Sequence, residues 1–549
     1  MSARRLHRDG VEASTTALSG EDTSASQRPR PPSPIRTPPV QPQVEVELKL
    51  SIAPEDVAKL ARLPLVRASA RGRAHTRVMH SIYYDTPDCD LRRSGIALRL
   101  RREGSRWMQT LKGGGAVEGG LHRRDEIELP IAGPFIDLTP LDASLTSVLP
   151  EADGQARLRP VFTADFRRTV RRVVPTSGVE LELCVDTGQI VAGESSEPIS
   201  EVELELKSGP AHALIAFADA LVGELPLRLE PMSKAERGYR LANAARPAPT
   251  KAPEVRLDPA MSVTSAWRTL VFACIAHLQA NEAGTIAGED SEYLHQARVA
   301  LRRLRSAFNV FSGPFPRASM QELLGEIRWL DDALGPARDW DVFTLSTLPQ
   351  IETAFPDHAG LQALGDRAQQ LRAASLQTVR ESLRSTRYTR LLLQLIGLFD
   401  RQPWLLADDA NAASLREASL LGFVADVLAR RHRKVIKRGR RLEALDLVGL
   451  HELRIAVKKL RYAAEFFATL FERKAQRRYV RALAALQEHL GALNDAATIE
   501  TLCSQLGSAS ADQGEAIGLL RGWSAAGARA QIEQLKPAWK RFRDADPFW

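Results

Sequence analysis

The stretch VEVELKL, Val44 to Leu50, decides how the first part of this chain is read. In an extended strand alternate side chains share a face. Glu45, Glu47 and Lys49 then point one way, and Val44, Val46, Leu48 and Leu50 the other. Two carboxylates beside an ammonium suit a hard divalent cation bound together with an anionic ligand. One such strand is also what an ordinary solvated sheet face looks like.

The pattern recurs. SEVELELKSG puts Glu201, Glu203, Glu205 and Lys207 on one face. ALRLRRE aligns Arg99 with Arg101, and WMQTLKGGG carries Lys112. HRRDEIELP aligns Arg124, Glu126 and Glu128. FRRTVRRV offers Arg168, and VELELCVD offers Glu180, Glu182 and Asp186. Strands that repeatedly oppose an apolar face to a face of mixed charge fit a closed barrel with a charged interior better than a sandwich.

On these residues, 43–245 resembles a CYTH domain, the triphosphate tunnel metalloenzyme family. The ExExK of Glu45, Glu47 and Lys49 carries the resemblance, with YYDTPD from Tyr83, LRLR from Leu98, ELELK ending at Lys207 and SKAERGY from Ser233. The resemblance implies an antiparallel eight-stranded β tunnel that binds triphosphate-containing substrates with Mg²⁺ or Mn²⁺. It implies that Glu45, Glu47 and Lys49 form the catalytic signature. Glu45, Glu47, Glu203 and Glu205 would be the metal ligands. Arg99, Arg101, Lys112, Arg124, Arg168 and Lys234 would hold the substrate. No side-chain nucleophile is apparent, so attack by metal-bound water is the expected chemistry. Whether Lys49 holds substrate or tunes the nucleophile stays open at this point.

The chain has 549 residues, enough for about three or four domains. Its 44% apolar content supports real cores, and its net charge of +8 favours a polyanionic partner. Residues 1–42, with SQRPRPPSPIRTPP, read as disordered. ARPAPTKAP, Ala245 to Pro253, marks a linker over 246–256. The scattered Cys89, Cys184, Cys274 and Cys503 form no CxxC pair and read as reduced thiols. No apolar run reaches membrane-spanning length, so the expectation is a cytoplasmic protein without a membrane partner.

From about Leu257 apolar residues recur at helical spacing, so 257–549 reads as all-α. It contains a duplication. HQARVALRRLRSAFNVF, His295 to Phe311, returns as HELRIAVKKLRYAAEFF, His451 to Phe467, at an offset of 156. LDDALGPARDWD, from Leu330, and LQEHLGALNDAA, from Leu486, keep that offset. Two helical units over about 262–400 and 412–545 follow. On a helix His295, Arg298, Arg302 and Arg305 form one stripe, and His451, Arg454, Lys458 and Arg461 its copy. A further basic run, RRHRKVIKRGRR, spans Arg430 to Arg441. Such stripes suit phosphate.

This half resembles the CHAD domain, whose two HxxRxxxRKLR-like motifs and LGxARDWD-type segments are matched here. The resemblance implies paired helical bundles and inorganic polyphosphate binding by the two stripes, with association to polyphosphate granules as a corollary. The whole is then a multidomain α+β chain, and the order of its parts resembles bacterial inorganic triphosphatases. Two alternatives remain. One is a polyphosphate-binding scaffold. The other is a tunnel enzyme acting on an organic triphosphate, as a thiamine triphosphatase or an adenylate cyclase. No zinc-finger or RRM signature points to nucleic acid, and the oligomeric state is not legible.

Overall fold

The computed structural model describes residues 43–138, 148, 157–243, 247–406, 409–507 and 510–549. The segment 1–42, read above as disordered, lies outside the described residues.

Eight strands close into an antiparallel ring. They are β1 (Gln43–Ser51), β2 (Ala70–Asp85), β3 (Ala97–Glu103), β4 (Arg106–Glu118), β5 (Leu121–Ile131), β6 (Arg159–Val173), β7 (Glu180–Ala192) and β8 (Ser195–Ser208). Around the ring the order is β1-β5-β4-β3-β2-β6-β7-β8, and β8 returns to β1. Closure leaves no free edge. Register fixes what the ring encloses. Glu45 lies opposite Arg124 and Glu47 opposite His122 on one side of β1. On its other side Glu47 faces Glu205 and Lys49 faces Glu203. Directly opposed residues share a face, so the charged alternate positions all turn inward.

The outward apolar positions meet helices. Leu48, Leu50, Val202 and Leu204 are fully buried in one core with Leu214, Phe217 and Leu221 of α1 (Ala211–Glu224). Burying each such side chain contributes roughly 1.5–3 kcal/mol. A short helix, α2 (Lys234–Ala242), starts from a capping box in which Ser233 and Glu236 satisfy each other's backbone N–H. Its Ala235 and Tyr239 pack with Tyr83, Phe162, Phe166 and Ile199, which fill one end of the ring. Gly238 makes this approach feasible, because a Cβ there would stand 2.1 Å from the Phe162 ring. Gly238→Ala is therefore expected to destabilise the fold by about 1–3 kcal/mol through overpacking, read as a lower urea midpoint with an unchanged slope.

The helical half begins with α3 (Val263–Ala287), α4 (Ser291–Val310), α5 (Gln321–Val342) and α6 (Ala359–Arg384). After α7 (Thr386–Arg401) and α8 (Ala410–Glu417) the same order returns. It comprises α9 (Leu420–Gly439), α10 (Leu447–Phe466), α11 (Arg473–Leu506) and α12 (Ala511–Arg543). The duplicated motif helices are α4 and α10. No helix of the described residues is long and apolar enough to cross a membrane.

The two halves share one apolar core, which runs from Leu50 and Phe217 to Trp267 and Ile396. The turn between β4 and β5 sits directly on the helices. Gln279 donates to the Gly119 carbonyl at 2.9 Å, and Arg268 grips Glu118 through two bonds of 2.7 and 2.6 Å. Arg123 reaches Asp400 at 3.2 Å. Residues 247–256, read as a linker, have no regular structure, but they are tied down. The Thr250 carbonyl accepts from His277 and Asn281, each at 2.9 Å, and the Thr250 N–H donates to Asn281.

Candidate functional site

Every residue assigned from the sequence to catalysis, substrate or metal lines one cavity of about 250 Å³ inside the ring, whereas Glu180, Asp186 and Glu201 of the same charged faces do not line it. Strand alternation and register put Glu45, Glu47 and Lys49 there from β1, Arg99 and Arg101 from β3, Lys112 from β4 and Arg124 from β5. Arg168 comes from β6, Glu203 and Glu205 from β8, and Lys234 from the first residue of α2. The walls carry eight cationic side chains and seven carboxylates.

These charges are not equivalent. At the deep end Lys234 donates to Asp186 at 2.6 Å, to Glu203 at 3.0 Å, and to Glu201. Arg168 forks onto Asp186 at 2.8 and 2.6 Å and also reaches Glu203. Arg237 takes the other oxygen of Glu201 at 3.0 Å. Lys49 bonds Glu203 and lies 2.9 Å from Glu47. Burial opposes ionisation of Glu203, but Arg168, Lys234 and Lys49 override it and hold the carboxyl well below the usual range. Burial likewise opposes ionisation of Glu47, and Lys49 brings it down to about 2.

The other side is less balanced. Lys112 bonds Glu45 and approaches Glu126 at 3.3 Å. Burial raises Glu45 to about 7 despite Lys112, with Glu47 and Glu126 adding to the rise. Arg101 is pushed down to about 10 by burial and by Arg99 and Arg168. The Nε atoms of Arg99 and Arg101 are buried without a hydrogen-bond partner. A buried guanidinium in that condition is poised for an anion.

Residues outside that lining also shape the site. His122 is fully buried opposite Glu47, with neither ring nitrogen bonded, and burial with Lys49 beside it lowers it to about 3. The alternation that exposes Arg124 and Glu126 also includes His122, so the signal was present. Asp186 and Glu201 are 0% and 1% exposed, and with Glu203 they offer carboxylate oxygens within 4.8 Å of one another. Alternation gives their face, and only the fold gives their depth.

In the helical half α4 and α10 face each other across a cavity of about 450 Å³. His295, Arg302, Arg454, Lys458 and Arg461 line it, together with Lys251 from the segment before α3. Burial and the neighbouring Arg302 and Arg454 lower Lys458 to about 8. The rest of the two stripes lies elsewhere. Arg298 donates to the Gly335 carbonyl at 2.7 Å and lies 3.3 Å from Asp339. Arg305 pairs with Asp331, and His451 is exposed outside the cavity walls. In the basic run Arg433, Lys434 and Lys437 are exposed, whereas Arg431 turns to Asn309 at 2.9 Å.

Comparison with known proteins fits both halves. The CYTH domain model matches residues 43–239 and the CHAD domain model residues 269–504. A protein of Haemophilus influenzae named inorganic triphosphatase is 37% identical over 201 residues. That match takes in 36% of this chain and 55% of the relative's own length. An uncharacterised protein of Mycobacterium tuberculosis is 26% identical over 461 residues, 78% of this chain and 84% of that one. The crystal structure of the CHAD domain from the plant Ricinus communis is 34% identical, covers 55% of this chain and 99% of its own, and superposes with a TM-score of 0.48. The chain thus carries a CYTH domain, built as a closed β tunnel, followed by a helical CHAD domain.

Proposed function

We propose that this chain is a metal-dependent inorganic triphosphatase whose helical half binds inorganic polyphosphate. The observation that carries the first part is the lumen, a cavity of triphosphate scale in which Arg99 and Arg101 keep buried, unpartnered donors. The relative from Haemophilus influenzae supports the same substrate.

The walls also fit a divalent cation. Eight cations against seven carboxylates leave almost no excess charge, whereas triphosphate is multiply anionic, so metal charge must enter with it. Glu45, which burial with Glu47 and Glu126 raises to about 7 even though Lys112 bonds it, is a carboxyl that a further cation would stabilise. Glu45, Glu47 and Glu205 would hold Mg²⁺ or Mn²⁺. Glu203, already gripped by Lys49, Arg168 and Lys234, would join by releasing one of them. When bound, the ion supplies Lewis-acid stabilisation of phosphoryl oxygens.

The chain's own residues do the rest. Arg99, Arg101, Arg124, Arg168, Lys112 and Lys234 bind and align the phosphoryl oxygens. Lys49 fixes the carboxylates of Glu47 and Glu203. Tyr83 lines the lumen with Arg99 and Arg101; burial opposes ionisation of its phenol, and the two guanidinium charges override it and lower it below the ordinary value. Water attacks the terminal phosphorus, the bond from that phosphorus to its bridging oxygen breaks, and pyrophosphate and phosphate leave. Phosphate release from inorganic triphosphate, with and without Mg²⁺ or Mn²⁺ and with ATP in parallel, tests the reading. ATP turnover equal to or above that of triphosphate would move it to an organic triphosphate.

For the helical half the supporting observation is the convergence of both repeat helices on one basic cavity. Lys458 gives a pH signature. It loses its proton as pH rises through about 8, and a bound polyanion favours the protonated form. Affinity for polyphosphate should therefore be full below pH 7 and fall by about tenfold between pH 7 and 10. Lys458→Arg should flatten that fall. Calorimetric titrations of the full chain at constant ionic strength measure both.

A further inference from the structure

The lumen has a second opening. Beside α2 lies a cavity of about 320 Å³. It shares Ala97, Lys112, Arg124, Ser233 and Ala235 with the charged lumen, so the two spaces meet at Lys112 and Arg124. Its remaining wall includes Arg92, which is exposed, Glu236, Tyr239 and residues 114–117.

The sequence builds this opening deliberately. Lys112 is followed by three glycines, and β4 shifts its register against β5 between Gly113 and Ala116. Gly114 and Gly115 are left-handed, with φ of 64° and 73°. A Cβ on Gly115 would lie 1.8 Å from the Arg123 carbonyl oxygen, so a side chain is excluded there. The bulge thus lines the passage with bare backbone where a regular strand would place side chains.

The chemistry of the opening is that of an anion path. Arg92, Lys112 and Arg124 line it with one carboxylate, Glu236, which is engaged by Ser233 in the capping box and lies 3.5 Å from Arg124; Lys112 also bonds Glu45 of the lumen, and the Asp125 carboxylate stands beside Gly114. Tyr239 is the aromatic group on its wall, and Arg92 covers that ring at 5.3 Å from the centroid. Among the described residues this wall offers no second aromatic ring to clamp a nucleobase or a thiamine. At the end of β7 and β8 remote from α2, Glu182 and Glu205 meet the single Lys207, which pairs with both. Anionic substrate therefore extends more favourably past α2 than through the other end.

We infer that this port is a subsite for phosphoryl units beyond the third, so that a linear chain of four or more phosphates seats its reacting end in the lumen and runs out past Lys112 and Arg124 to Arg92. The inference rests on the reading of the lumen as a triphosphate site. It makes the port, rather than lumen volume, the determinant of chain-length preference.

Arg92→Glu reverses charge at the rim, and Ala116→Trp narrows the passage; neither residue belongs to the lumen. Binding of linear triphosphate and tetraphosphate to the full chain with Mg²⁺, by calorimetry, is compared with phosphate release from each. Both variants should weaken tetraphosphate by about tenfold and leave triphosphate within about twofold. Equal effects on both ligands, or no effect on either, overturn the port. Chain-length-selective binding with no phosphate release would keep the port and reject hydrolysis. Normal release from triphosphate with tetraphosphate binding indifferent to both variants would do the reverse.

Discussion

Glu45→Gln together with Glu47→Gln abolishes metal-dependent phosphate release from inorganic triphosphate, by about 10³-fold or more. Loss of several kcal/mol of charge stabilisation in the transition state is the basis of that figure. Both changes keep shape and remove charge where the lumen has least to spare for a cation. Glu45 tolerates the change well, because burial already raises it to about 7 and a neutral amide relieves its clash with Glu47 and Glu126, while Lys112 keeps Glu126 at 3.3 Å. Glu47 tolerates it less well, since Lys49 loses a counterion at 2.9 Å but keeps Glu203. The measurement is metal-titrated phosphate release, with circular dichroism to show that the ring persists. Turnover that survives in the variant removes these carboxylates from the metal site and the triphosphatase reading with them. Turnover lost with undiminished polyphosphate binding locates catalysis in the tunnel alone.

The second large effect is on stability. Lys234 is the shared counterion of Asp186, Glu201 and Glu203, and all four side chains are nearly inaccessible to water. Lys234→Met leaves three buried carboxylates facing one another, with Arg168, Arg237 and, on Glu203, Lys49 as their remaining partners. Breaking a buried ion cluster from one side costs about 3–5 kcal/mol. The pH dependence should change sign. In the native protein Asp186 and Glu203 sit below their ordinary values, burial being overridden by Lys234 and Arg168. Their contribution is present above the unfolded carboxylate range and is lost as pH falls through their folded values. Without Lys234 the same groups bind protons more readily folded than unfolded, so the variant should gain stability as pH drops from 7 towards 5. Urea midpoints across that range decide it. A variant as stable as the parent at pH 7 would show that Arg168, Arg237 and Lys49 suffice.

Much of the tunnel was legible because a strand has a period of two. Once Glu45, Glu47 and Lys49 are placed inside, each further strand declares its inner face by its charges, and the register then only confirms which charges meet. What the alternation does not give is depth along the strand. It cannot tell Asp186, sealed under Lys234, from Glu182, which reaches the open end. His122 was passed over for a different reason, since a reading led by charge begins that strand at Arg124. In the helices the basic stripes were visible, but a stripe has a direction and no partner. Asp331 and Asp339 of α5 take Arg305 and Arg298 away from the cavity, and nothing in the motif itself announces them. The segment 247–256 has the composition of a tether. Its fixation depends on single polar groups: His277 and Asn281 at Thr250, and Thr469, which donates to the Val255 carbonyl.

The seat of the β4–β5 turn reaches beyond mechanics. Gly119 lies so close to Ile275 and Ile396 that a methyl group added there would come within 3.2 Å of both. The strand that leaves this turn supplies His122 and Arg124 to the lumen. Ile275 and Ile396 are remote in sequence from any catalytic signature, yet they set where that strand begins. Grafting the tunnel onto a foreign helical domain is therefore expected to keep the lumen intact only where the residues that receive this loop are carried over with it.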